Sequence, residues 1–155
     1  LKVLELDPNS FTMYSNISNV YLLLNDTKNS FKYVNIVMTK YPKLNFYFDL
    51  ALIYDYQHKH EKALLNYEKY IKNLDQEKLL EKYLFTIKRI LLNYLLLGNV
   101  EKTKYYLDIL QKHKSTDDVI EKVMNASADN TLTKLLQDTD FKAKLKVDVY
   151  KASMI

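Results

Sequence analysis

Leu44 to Asp75, LNFYFDLALIYDYQHKHEKALLNYEKYIKNLD, is the stretch whose reading decides the fold. In its first half Tyr47, Leu50, Ala51 and Tyr54 recur at i, i+3, i+4 and i+7, one face of a 3.6-residue helix. In its second half Ala63, Tyr67, Tyr70 and Ile71 form a comparable face, with a short turn between. The small residues Ala51 and Ala63 allow two helix backbones to approach closely, and the tyrosines pack above and below that contact. A helical hairpin that buries its own apolar face is the expectation.

Working outward, the same pattern recurs on both sides. Tyr14, Ile17, Ser18 and Tyr21, then Ser30, Val34, Val37 and Met38, mark a hairpin from Phe11 to about Lys43. Pro8 and Pro42 stop helices, and the interval between them is 34 residues. The preceding Leu1 to Asp7 reads as the end of an earlier helix, so the chain looks like a piece of a larger protein. A third hairpin from about Glu77 carries Ile87, Ile90, Leu91 and Tyr94, then Thr103, Leu107 and Leu110. Between Gln76 and Tyr83 it holds six or seven residues more than the others, expected as extra helical turns. Leu91 stands where the other hairpins have a small residue, which predicts a wider crossing.

The turns inside the three hairpins align at Asn25, His58 and Gly98, residues suited to the left-handed conformation that ends many helices. Thr116 or Asp117 is expected to cap a helix through about Asn125, followed by a loop at residues 127–130 and one or two short helices in TLTKLLQDTDFKAKLK. In the C-terminal segment 116–155, residues 116–147 are expected to cover the last open apolar face, with the tail 147–155 left unassigned.

The order of small residue and aromatic, the A-L-x-x-Y-x-x-Y run of Ala63 to Tyr70, and the 34-residue interval resemble the tetratricopeptide repeat over residues 1–113. That resemblance implies an all-α, right-handed superhelix of hairpins 11–43, 44–76 and 77–115, closed by a C-terminal helical cap. It also implies a concave groove lined by the first helix of each hairpin, which holds a partner peptide or helix. Residues one step round from the packed face are the candidates: Ser15, Asn16, Asn19 and Leu23, then Phe48, Asp49, Leu52 and Tyr56, then Lys88, Arg89 and Leu92. The protein's own flanking segments are an alternative occupant.

Some family members grip a chaperone's terminal carboxylate with a clamp of lysine, asparagine and arginine. Its positions fall here on Ser15, Asn19, Asp49, Phe85 and Arg89, and only Asn19 and Arg89 match. Asp49 would repel the carboxylate and is expected instead to pair with Lys88 or Arg89.

Composition narrows the chemistry. One Gly and two Pro in 155 residues favour long helices, and the single glycine leaves no phosphate-cradling loop. With no Cys there is no thiol catalysis or disulfide, and the compartment stays open, leaning to the cytoplasm. The formal charge of +4 comes from 23 basic and 19 acidic residues interspersed, which reads as a solvated helical surface. Nucleic acid is not an expected partner, and the irregular repeat spacing would break a base-by-base register. The 14 tyrosines fall largely on packing positions rather than on a stacking platform. His58 and His60 lack the further ligands that a metal needs, and Asp117 with Asp118 reads as a helix cap. No run is long enough to insert in a membrane. A non-catalytic scaffold without cofactor follows, or an accessory domain that orients a larger enzyme or its substrate.

Overall fold

A computed structural model describes residues 10–115 and 117–151, with side chains to Leu145. Residues 1–9, Thr116 and residues 152–155, on which the earlier helix end and part of the tail were expected, lie outside the described residues. The described residues are all-helical, without strands, and fall into two compact units that part between Asn73 and Leu74. The third hairpin falls in the same unit as the C-terminal helices.

The first unit holds α1 (Phe11–Leu23), α2 (Thr27–Lys40), α3 (Tyr47–Tyr56) and α4 (His60–Lys72). Helix α1 pairs with α2, and α3 with α4. Ser10 caps α1 by accepting from the Met13 amide, and Asp26 caps α2 by accepting from the amide and side chain of Asn29 at 3.0 and 2.6 Å. Small side chains are buried in both hairpins. Ser18 and Ser30 are both buried and share a 2.7 Å hydroxyl contact between α1 and α2, which satisfies their polar atoms internally. Ala51 of α3 and Ala63 of α4 are fully buried and bring no polar atom. Val34, Val37, Leu50, Ile53 and Tyr67 complete this core.

The tyrosines expected to pack in this hairpin differ in depth. Tyr54 is half-buried, edge-on to Phe31 at 5.9 Å, with the Lys62 ammonium 5.7 Å from its ring. Tyr67 is the fully enclosed ring, and its hydroxyl donates to Asp55 Oδ2 at 2.7 Å. Tyr14 and Tyr21 are also half-buried, and Tyr33, absent from the expected face, stacks on Tyr21 at 5.5 Å. Leu22 supplies the buried aliphatic contact of α1.

The second unit holds α5 (Leu80–Leu97), α6 (Val100–Lys112), α7 (Asp118–Ala128), the single turn α8 (Leu132–Leu135) and α9 (Thr139–Lys151). The extra residues before the third hairpin divide between turns up to Leu79 and the start of α5, which at 18 residues exceeds α1 and α3. Ile87, Ile90, Leu91, Thr103, Leu107 and Leu110 are buried as their periodicity requires, and Tyr94 stacks on Tyr106 at 5.6 Å. Helix α5 pairs with α6.

Asp117 caps α7 by accepting from the Ile120 amide at 3.0 Å, but the helix continues past Asn125, so Ser127 and Ala128 are helical rather than loop. Asp138 accepts from the Phe141 amide at 2.9 Å and starts α9, which runs to Lys151 and is longer than the short element expected.

Asn25, His58 and Gly98 all adopt left-handed backbone, at φ 58°, 55° and 71°, and in each hairpin the next residue's amide closes the turn. A Cβ on Gly98 meets only the flexible end of Lys142, at 4.0 Å, so the cost of one is conformational rather than steric. Gly98→Ala is expected to destabilise the second unit by about 1 kcal/mol in denaturant unfolding. A neutral or stabilising result would contradict the left-handed turn.

Candidate functional site

The candidate surface begins on α1. Asn16 and Asn19 project into solvent together with Val20 and Leu23, the latter two 53% exposed each. Two carboxamides beside two aliphatic side chains form a strip that offers hydrogen bonds and apolar contact at once, the mixture that an extended backbone or a helix needs. Ser15, on the same helix, turns toward α3 and donates its hydroxyl to Asp49.

Asp49 is the residue of most chemical interest in the first unit. Asp49 is half-buried, and burial pushes its pKa up to about 6, although its own backbone amide and the Ser15 hydroxyl pull in the other direction. Its charge in turn helps to hold the Tyr70 phenol above the usual tyrosine range, after burial of that ring. Asp49 is therefore not the exposed anion that the sequence suggested. Phe48 is half-buried against Tyr67 and Tyr70, with ring centroids 5.6 and 5.2 Å away. Tyr56 is half-buried, whereas Leu52 is only 7% exposed and belongs to the core. Leu52 is covered because α3 is packed on more than one side, so that a residue one step round from its main contact still lies against a neighbouring helix.

In the second unit, α5 carries Lys88, Arg89 and Leu92. Lys88 pairs with Asp117 at 3.2 Å, within its own unit. Arg89 is 1% exposed and ranks among the largest enclosed side chains, which removes it as a freely offered groove cation. Leu92 is half-buried. These residues form one wall of a cleft of about 440 Å³, with Phe85 at its mouth, the start of α7 opposite, and Lys144 of α9 beside it. Burial of Arg89 follows because α7 and α9 flank this face of α5, a long-range arrangement that the local periodicity does not encode.

A second concavity lies along α2, about 1010 Å³ and open to solvent, lined by Lys28, Phe31, Lys32, Asn35 and Ile36 among others. Those positions recur at i, i+3, i+4, i+7 and i+8, a helical stripe that the sequence displayed but that the groove reading did not use. At the turn between α3 and α4, the rings of His58 and His60 stand 6.2 Å apart and edge-to-face. Among the described residues no three His, Cys, Asp or Glu side chains converge as metal ligands, and no helix is long and apolar enough to cross a membrane.

Compared with protein-family models, with curated proteins and with solved structures, the chain matches none.

Proposed function

We propose that the chain is a non-catalytic protein-binding scaffold whose hairpins stack into the right-handed superhelix of the tetratricopeptide family, with the first helix of each hairpin facing the partner. One observation supports the repeat: the three hairpins turn at equivalent left-handed residues, Asn25, His58 and Gly98, and bury the residues at corresponding positions, Ser18 and Ser30, Ala51 and Ala63, and Leu91 and Thr103. The exposed strip of Asn16, Asn19, Val20 and Leu23 supports the binding role, because carboxamides satisfy a peptide backbone without demanding a charge.

A photo-crosslinking amino acid placed at Asn19, and in a separate protein at Lys32 on the other concavity, tests the surface. Partner capture at Asn19 and not at Lys32 is expected. Capture at Lys32 alone would move the function to α2.

The partner's chemistry is bounded by what the groove lacks. With Arg89 enclosed and Asp49 in place of a neutral amide, an acidic peptide with a free terminal carboxylate is expected to bind no tighter than about 0.1 mM, some 5.5 kcal/mol. Low-micromolar binding in a calorimetric titration, abolished by Arg89→Ala, would restore the clamp.

A further inference from the structure

Helix α9 carries one apolar pair among its described side chains. Phe141 and Leu145, four residues apart and so on one face, are 5% and 1% exposed, while Thr139, Asp140, Ala143 and Lys144 around them face solvent. The helix packs on α5, the element that presents Lys88 and Leu92. Lys142 reaches the C-terminal end of α5 at Gly98, and Lys144 lines the cleft with Phe85, Lys88 and Leu92, so α9 lies along α5 on the side of the candidate partner residues.

We propose that α9 is an internal occupant of the partner surface on α5. The partner that displaces it is an amphipathic helix with an aromatic and an aliphatic anchor four residues apart and a basic residue between them. This rests on the groove reading above and adds both a regulator and a ligand class to it. Three features argue for a separable occupant rather than a fixed part of the core.

The first is how its described part is anchored: Phe141 and Leu145, on one face, are the buried side chains among residues 139–145. The second is its joint, since α9 begins at a polar stop, Asp138, after the four-residue α8, and needs only that turn to swing away. The third is charge. Asp117 and Asp118 are exposed at the cleft, Lys88 is already matched with Asp117, and α9 brings Lys144 to the same rim. A displacing helix that keeps a lysine or arginine at that place retains the match, and one with a carboxylate there loses it. Phe85, 38% exposed at the mouth of the cleft, gives an incoming helix a first apolar contact before α9 has left.

The probe is a fluorescein-labelled peptide of residues 137–151, QDTDFKAKLKVDVYK, titrated into the full chain and into the full chain carrying Phe141→Ala and Leu145→Ala. Binding at least tenfold tighter to the double variant is expected, with no binding of a control peptide whose Phe and Leu are serine. Equal binding to both proteins, or to neither, overturns the proposal. Hydrogen exchange on the unaltered chain gives a second readout that needs no variant. Amides of α9 should exchange through an opening that leaves α5 and α6 protected, and exchange of α9 only in step with α5 overturns the proposal. The two readings fail separately. Crosslinking at Asn19 with an inseparable α9 leaves the groove and removes the occupant, while a separable α9 with capture only at Lys32 does the reverse.

Discussion

Tyr67→Ala is expected to cost about 3 to 5 kcal/mol of stability, the range for removing a fully enclosed aromatic ring. The ring has no exposed surface, sits 5.6 Å from Phe48, and holds a buried carboxylate through its 2.7 Å hydrogen bond to Asp55. Two effects therefore add: a cavity where the ring was, and a carboxylate that loses a donor in a place that water does not reach. Tyr67→Phe separates them, keeping the ring and deleting the donor, at an expected cost of about 1 to 3 kcal/mol. Urea unfolding of both variants, followed by circular dichroism, measures each effect. An alanine variant that lost less than about 1 kcal/mol would place Tyr67 outside the core.

A substitution at Asp49 is expected to act in the opposite direction. An aspartate ionises near 3.8 in an open chain, and burial raises Asp49 to about 6 in the fold. Below pH 4 both states hold the proton and the residue costs nothing. Between about pH 4 and 6 the unfolded chain releases it while the folded chain keeps it, so stability falls as pH rises. Above pH 6 the penalty is complete, about 3 kcal/mol for a displacement of this size.

Asp49→Asn keeps the shape and still offers an oxygen to the Ser15 hydroxyl. It is expected to stabilise the protein by about 2 to 3 kcal/mol at pH 7.5, to change little at pH 3.5, and to flatten the profile between. Asp26 and Asp129 act in a different window. Their ionisation is favoured in the fold by hydrogen bonds, from Asn29 and from Thr131, so what they contribute is present above the usual aspartate range and disappears in acid. An Asp49→Asn variant no more stable than the original protein at pH 7.5 would show that the carboxyl is hydrated after all.

The hairpins were legible in the sequence because a helix advertises its packed face within a dozen residues. Spacing alone located the left-handed turn residues and the small residues at the first two crossings, including the serine pair at Ser18 and Ser30. What spacing does not encode is depth. Tyr54 and Tyr67 both lie on an apolar stripe, and only the third dimension decides that the one on α4 is enclosed and the one on α3 is half-open. The groove suffered more from this than the core did. Asn16 and Asn19 are where a periodic argument puts them. Leu52, Asp49 and Arg89 were misjudged because each is covered by an element distant in sequence or packed on a second side of its helix. The length of α9 was hidden for another reason: its sequence, TDFKAKLKVDVYK, largely alternates apolar and charged residues and carries a weak helical stripe.

Each helix of the three hairpins finds its main partner immediately next in the chain, across a turn of a few residues. That arrangement matters during synthesis. Ribosomes add about 5 to 20 residues per second, so the interval of 33 residues from Asn25 to His58 takes roughly 2 to 7 seconds to emerge. Structures built from contacts this local close in microseconds to milliseconds. Each hairpin therefore reaches its own equilibrium long before the following one exists, and the order of assembly is the order of translation. Helix α9 is the exception, since its contact with α5 waits until the whole intervening segment has been made.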